Sequence, residues 1–120
     1  MQRTRPAGIH RDTASRTREI VDRIGDKWSL AIIHQLGWGP MRSTDLKRSV
    51  DGIGQRVLTV TLRALERDGL VERTTRPEGD DYALTPLGKS LLETVSALMN
   101  WTVKHLDDID RARANYDTGG

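Results

Sequence analysis

The stretch I-G-Q-R-V-L-T-V-T-L-R-A-L-E-R-D-G, Ile53 to Gly69, followed at once by L-V-E-R-T-T-R, Leu70 to Arg76, decides the reading of this chain. Val57, Leu58, Leu62 and Leu65 recur at helical spacing, and Gln55, Arg56, Thr59, Val60 and Arg63 fall on the other side of the same helix. One face is built to bury, the other to present donors. Guanidinium and carboxamide groups bond base edges and phosphates, and a strand pair directly after such a helix is the layout of a winged helix-turn-helix. The stretch therefore predicts a double-stranded DNA partner, with no catalytic residue involved.

Working outward, Asp51-Gly52 supplies a turn into this helix, and a short helix before it is expected to be capped by Ser43 or Thr44 with Leu46 and Val50 facing inward. Upstream, Trp28, Leu30, Ala31, Ile32, Ile33 and Leu36 place apolar groups nearly all round a helix from Lys27 to Leu36, the pattern of a central buried element. A first helix is expected from Ser15 to Ile24, with Ile20, Val21 and Ile24 on one face and Gly25 ending it. Residues 1–12, with Pro6 and Gly8, read as a flexible basic arm.

Downstream, Leu70 to Arg76 and Tyr82 to Thr85 read as a strand pair, with Pro77 to Asp81 as a polar hairpin tip. Thr85-Pro86 starts a last helix sharply, expected to run to about Arg113 and to leave 114–120 as a disordered tail. Two neighbouring apolar stripes mark that helix. Leu92, Val95, Met99, Leu106 and Ile109, with Thr102 at the missing step, form one; Leu87, Leu91, Leu98 and Trp101 form the other. One stripe serves the chain's own core and the second calls for a partner, so a homodimer is predicted through Leu92, Val95, Met99, Trp101, Leu106 and Ile109. The fold expected is mainly α with a small β-hairpin wing, one domain over 13–113, and a long C-terminal dimerisation helix.

The formal net charge of the 120 residues is only +2, but it is unevenly spread: +4 over 1–18, −1 over 19–41, +3 over 42–76 and −4 over 77–120. A basic centre beside an acidic end suits one face turned to a polyanion and another kept off it. With no cysteine, disulfides, thiolate chemistry and cysteine-rich zinc sites are excluded. No apolar run approaches about 18 residues, so a soluble, cytoplasmic chain is expected. His10, His34 and His105 share no metal-ligand spacing with an acidic cluster, and neither a metal nor a cofactor is expected. Nor does any nucleophile, base or phosphate loop point to an enzyme.

The segments Asp22–Ile33, Gly39–Arg48, Gly52–Thr59, Leu62–Arg73 and Tyr82–Gly88, in this order and spacing, resemble the HxlR-type family of bacterial transcriptional regulators, which are MarR-like winged helix-turn-helix proteins. The resemblance implies a dimer that binds operator DNA as repressor or activator, with the first and last helices joining the two copies. It departs from the family's pattern at Gly54, where members often open the helix with Ser, at Ser43, where many carry an aromatic, and in a shorter wing whose tip, Glu78 to Asp81, is acidic. Ser15 stands where the redox-responsive members have cysteine, so a thiol switch is not expected. Any small-molecule effector would then be non-covalent, sitting between the first and last helices near Trp101.

Within this frame Arg56 is the foremost DNA contact, near the helix N-terminus where side chains reach the groove floor. Gln55 and Thr59 are candidates for base edges, Val60 for a thymine methyl, and Arg63 for phosphate. Arg42 and Lys47 are phosphate candidates from the preceding segment, and Arg73 and Arg76 from the wing strands. The arm residues Arg3, Arg5 and Arg11 could follow a minor groove. The alternative is a winged-helix protein-interaction module without specific DNA binding; the polar outer face of the 54–67 helix argues against it.

Overall fold

The computed structural model describes residues 11–119. They form α1 (Arg11–Gly25), α2 (Lys27–Leu36), β1 (Met41–Arg42), α3 (Ser43–Ser49), α4 (Gln55–Arg67), β2 (Val71–Arg76), β3 (Gly79–Leu84) and α5 (Pro86–Gly119). The expected winged helix-turn-helix is present: α3 and α4 are the helix pair, and β2 and β3 the wing.

One core organises these elements. Ile32, Ile33 and Leu36 of α2 meet Leu46 of α3, Leu58, Leu62 and Leu65 of α4, and Leu70, Val71, Tyr82 and Leu84 around the wing base, all buried. Each such aliphatic side chain contributes about 1.5–3 kcal/mol on burial. Trp28 lies half-buried at the edge of this cluster, its ring under the Lys27 ammonium at 4.6 Å. The inward face of α4 differs from the sequence reading at two positions. Val57 is 40% exposed and Thr61 only 8%, because Thr61 sits three residues after Leu58 and four before Leu65, on the same stripe.

The boundary of α4 is set by hydrogen bonds to its last turn. Gly69, at φ +77°, donates its N–H to the Glu66 carbonyl, and Leu70 donates to that of Leu65, the paired bonds of a Schellman motif. Only glycine enters that backbone region without strain. Thr85 then joins the wing to α5: its hydroxyl donates to the Gly69 carbonyl at 2.6 Å and accepts the Gly88 N–H at 3.0 Å. Such a cap stabilises by about 1 kcal/mol.

Several expected boundaries move. α1 begins at Arg11 rather than Ser15, so the last two residues assigned to the arm are helical; residues 1–10, with Arg3 and Arg5, lie outside the described residues. Neither Ser43 nor Thr44 caps α3: Arg42 holds the cap position and makes no side-chain cap bond, because it belongs to β1. That two-residue strand, too short for any periodicity, pairs Met41 with Tyr82 and Arg42 with Asp81. The sheet order is β1-β3-β2, all antiparallel. The hairpin loop is Pro77-Glu78 alone, since Arg76 pairs with Gly79 and the run Gly79 to Asp81 is strand. Lastly, α5 extends through Gly119 rather than ending near Arg113, so 114–119 is helix where a tail was expected.

At 34 residues, α5 is about 50 Å long. The Cα radius of gyration is 18.3 Å, well above the roughly 13 Å of a compact domain of about this size. The excess comes from α1 and the far half of α5, which lie outside the core cluster.

Candidate nucleic-acid interface

The outer face of α4 is continuous. At about 100° per residue, Arg56, Val60, Arg63 and Arg67 fall within an arc of roughly 60°, opposite the buried stripe. All four are exposed. Arg67 was not singled out from the sequence; its i+11 relation to Arg56 was the available signal. Among the described residues Arg56, Arg63 and Arg67 have no carboxylate within ion-pair distance, and the same holds for Lys47 on α3.

Beside this row, Gln55 and Thr59 hold each other. The Gln55 carboxamide donates to the Thr59 hydroxyl at 3.1 Å, and that hydroxyl donates to the Gln55 carbonyl at 3.0 Å. The carboxamide is thereby fixed at the first turn with its oxygen and one N–H open. Gly54 caps the helix without a side-chain bond, as a residue lacking an oxygen must. Free donors at a helix start, with nothing bulky before them, suit approach to a groove.

Val60 has a second neighbourhood. It borders a cleft of about 450 Å³ between α1 and α4, lined also by Glu19, Asp22, Arg23, Asp26 and Ser29. That side of α4 faces three carboxylates, so Val60 marks the lateral edge of the cationic face.

The three cations named from the sequence at the wing and β1, Arg42, Arg73 and Arg76, are internally engaged. Arg76 Nε lies 2.6 Å from an Asp81 carboxylate oxygen, and Arg42 lies 3.3 Å from Glu78 and 3.8 Å from Asp81. Arg73 is 3.5 Å from Glu66 of α4 and 3.7 Å from Asp80. These cross-strand pairs also explain why Asp80 and Asp81 extend β3 despite their poor strand preference: opposite charges on adjacent strands offset it. Tyr82, packed beneath, has its phenol pushed above the ordinary value of 10, first by burial and next by the Asp80 charge.

The residues expected at a dimer contact divide. Val95 is only 4% exposed, and Leu92 packs on the core, so both serve their own chain. Met99, Trp101 and Leu106 are exposed, with Leu98, Ile20 and Val21 beside them in character. Trp101 stacks on His105 with ring centroids 4.6 Å apart. The apolar groove meets α5 at Met99 rather than at Trp101 and faces α2 instead of α1: about 490 Å³, lined by Trp28, Leu30, Ala31, His34, Val50 and Met99 among others. Among the described residues no group of three or more His, Asp or Glu is placed to hold a metal ion, and no helix is long and apolar enough to cross a membrane.

Comparison with known proteins gives a consistent result. Residues 23–110 match the model of a family described as HxlR-like helix-turn-helix. The chain is 33% identical over 96 residues to the uncharacterized HTH-type transcriptional regulator YtfH of Escherichia coli K12, covering 78% of this chain and 76% of that one. Its fold superposes on the ytfH protein of Salmonella typhimurium with a TM-score of 0.73 at 32% identity, over 82% of this chain and 90% of that one. The redox regulator HypR in its reduced form gives 0.71 at 29% identity, over 80% and 98%.

Proposed function

The chain belongs to the HxlR-like helix-turn-helix family, and from that premise we propose that it is a sequence-specific, DNA-binding transcriptional regulator that acts as a homodimer. The observation that carries the reading is the outer face of α4, where Arg56, Arg63 and Arg67 have no carboxylate partner among the described residues and stand beside the braced Gln55 carboxamide. In this reading α4 enters the major groove. Arg56 and Gln55 bond base edges, Thr59 supports Gln55, Arg63 and Arg67 meet phosphate further along, and Lys47 meets phosphate from α3. The chemistry asked of the protein is donation of hydrogen bonds and positive charge, a binding function rather than an enzymatic one.

Homodimerisation is supported by what the single chain leaves uncovered. α1 adds no residue to the core and exposes Ile20 and Val21, while α5 exposes Leu98, Met99, Trp101 and Leu106. A second copy laid across α1 and α5 would cover these groups and set two α4 helices about 34 Å apart, one turn of duplex. A non-covalent effector, if the protein responds to one, has apolar space in the groove between Trp28 and Met99, where binding would bear on the packing of α5 against α2.

Selection of fragments from genomic DNA with the purified protein, followed by a salt series on the selected and on random duplexes, tests the reading. A twofold-symmetric motif with a steep salt dependence is expected. Equal and weak retention of all fragments would favour a protein-interaction module instead, and the ion-paired wing is the one feature that lends that alternative support.

A further inference from the structure

We propose that the wing is electrostatically self-neutralised, and that Asp81, with Asp80 and Glu78, sets the chain's affinity for polyanions by holding Arg42, Arg73 and Arg76 away from phosphate. The inference rests on the DNA-binding reading above and deepens it by naming the residues that limit it.

Asp81 is the hinge of the arrangement. It lies on the central strand β3, directly opposite Arg42 on β1 and diagonal to Arg76 on β2, so its carboxylate takes an edge-strand guanidinium on each side. Glu78 at the loop holds Arg42 a second time. On the other face of the sheet, Arg73 stands opposite Tyr82 and between Asp80 and Glu66. Three cations thus face four carboxylates, Glu66 of α4 among them, and this cluster offers a passing phosphate a net charge of −1 where its arginine count alone suggests +3. The side chains of these three arginines are a third to a half exposed, so water reaches them. What they lack is an unpaired charge. A phosphate that engages one of their free N–H donors finds a carboxylate beside it, whose repulsion offsets part of what the new ion pair yields.

The consequence is a division of labour. α4 and Lys47 bring free positive charge to DNA, and the wing does not, which keeps sequence-independent holding of DNA low.

The test uses the full chain and two probes, a heparin column and a 30-base-pair random duplex, neither of which needs the operator. Asp81→Asn frees Arg76 and one of the two ion pairs of Arg42 while keeping shape. It should steepen the slope of log affinity against log salt by about 0.9 for each further phosphate neutralised, raise duplex affinity at 0.1 M salt roughly five- to tenfold, and delay elution from heparin. Glu72→Gln is the control: Glu72 is an exposed carboxylate on β2 that holds no arginine among the described residues, so its loss should leave the slope unchanged. Arg76→Ala in the Asp81→Asn chain should cancel most of the increase in affinity. An equal increase from Glu72→Gln, an increase that survives Arg76→Ala, or no increase at all overturns the proposal. Failure of the genomic selection with the heparin result intact would instead remove the regulator reading and leave the neutralised wing standing.

Discussion

Arg23, in the last turn of α1, donates from Nε to the carboxylate of Asp68, the C-cap residue of α4, at 2.8 Å across 45 positions of sequence. Both side chains are mostly buried. The pair fastens the helix expected to meet a second copy to the end of the helix expected to meet DNA. Asp68→Asn keeps a weaker bond, whereas Arg23→Ala leaves the Asp68 carboxylate shielded from water and without its partner. Arg23→Ala should cost about 1–3 kcal/mol of stability, and Asp68→Asn less, as read by urea unfolding. Equal stability in all three chains would show that the pair does not tie the two helices.

Tyr82 supplies a pH prediction. Its phenol is raised above 10 by burial and by Asp80, so the folded chain keeps a proton that the unfolded chain releases near pH 10. The stability this contributes is fully present below pH 10 and is lost as pH rises through the folded value. Unfolding midpoints should therefore fall with pH above about 10, and Tyr82→Phe should flatten that fall. An identical alkaline profile in both chains would contradict the placement of Tyr82.

At Gly88 the limit is space rather than conformation. A Cβ there would stand 2.0 Å from the Leu70 carbonyl oxygen and 3.2 Å from a Leu84 methyl, because the first turn of α5 rests on the turn leaving α4. Although alanine is the better helix former, Gly88→Ala should destabilise by about 3 kcal/mol or prevent folding, as overpacking against backbone does. A thermal midpoint at or above that of the parent chain would refute the close approach.

The oligomeric state should respond to residues that the single chain does not use. Leu98 and Trp101 are 62% and 53% exposed, so aspartate at both should spare the fold while burying unpaired carboxylates at each copy of the interface. Sedimentation should then change from a mass near twice 13.5 kDa to that of one chain, with the helical circular dichroism retained. Val95→Asp, by contrast, should unfold the domain. A parent chain that sediments as a monomer at micromolar concentration would end the dimer proposal.

The helical periods of 27–36 and 55–67 were legible in the sequence because a buried stripe at 3.6 spacing leaves a strong trace, and the wing because Val71 and Leu84 anchor its strands. What was not legible depends on partners distant in sequence. Asp80 and Asp81 look like loop residues until Arg42, Arg73 and Arg76 are brought across from neighbouring strands, and β1 exists only because β3 lies beside it. Val57 and Thr61 exchanged places for a different reason: side-chain type suggested that valine is buried, but spacing puts Thr61 on the stripe of Leu58 and Leu65 and Val57 at its edge. In the candidate site, the row Arg56, Val60, Arg63 was readable from spacing alone. That Arg73 and Arg76 are already engaged was not.

The most direct test of the central claim, that α4 reads DNA through its outer face, is the affinity of Arg56→Ala for a fragment selected by the parent chain, measured beside a random duplex at the same salt. A loss of about 1–3 kcal/mol on the selected fragment, with relaxed preference at one base pair per half-site and a much smaller loss on random DNA, is the predicted result. Unchanged affinity for the selected fragment in a folded Arg56→Ala chain would contradict the assignment of α4 as the recognition helix.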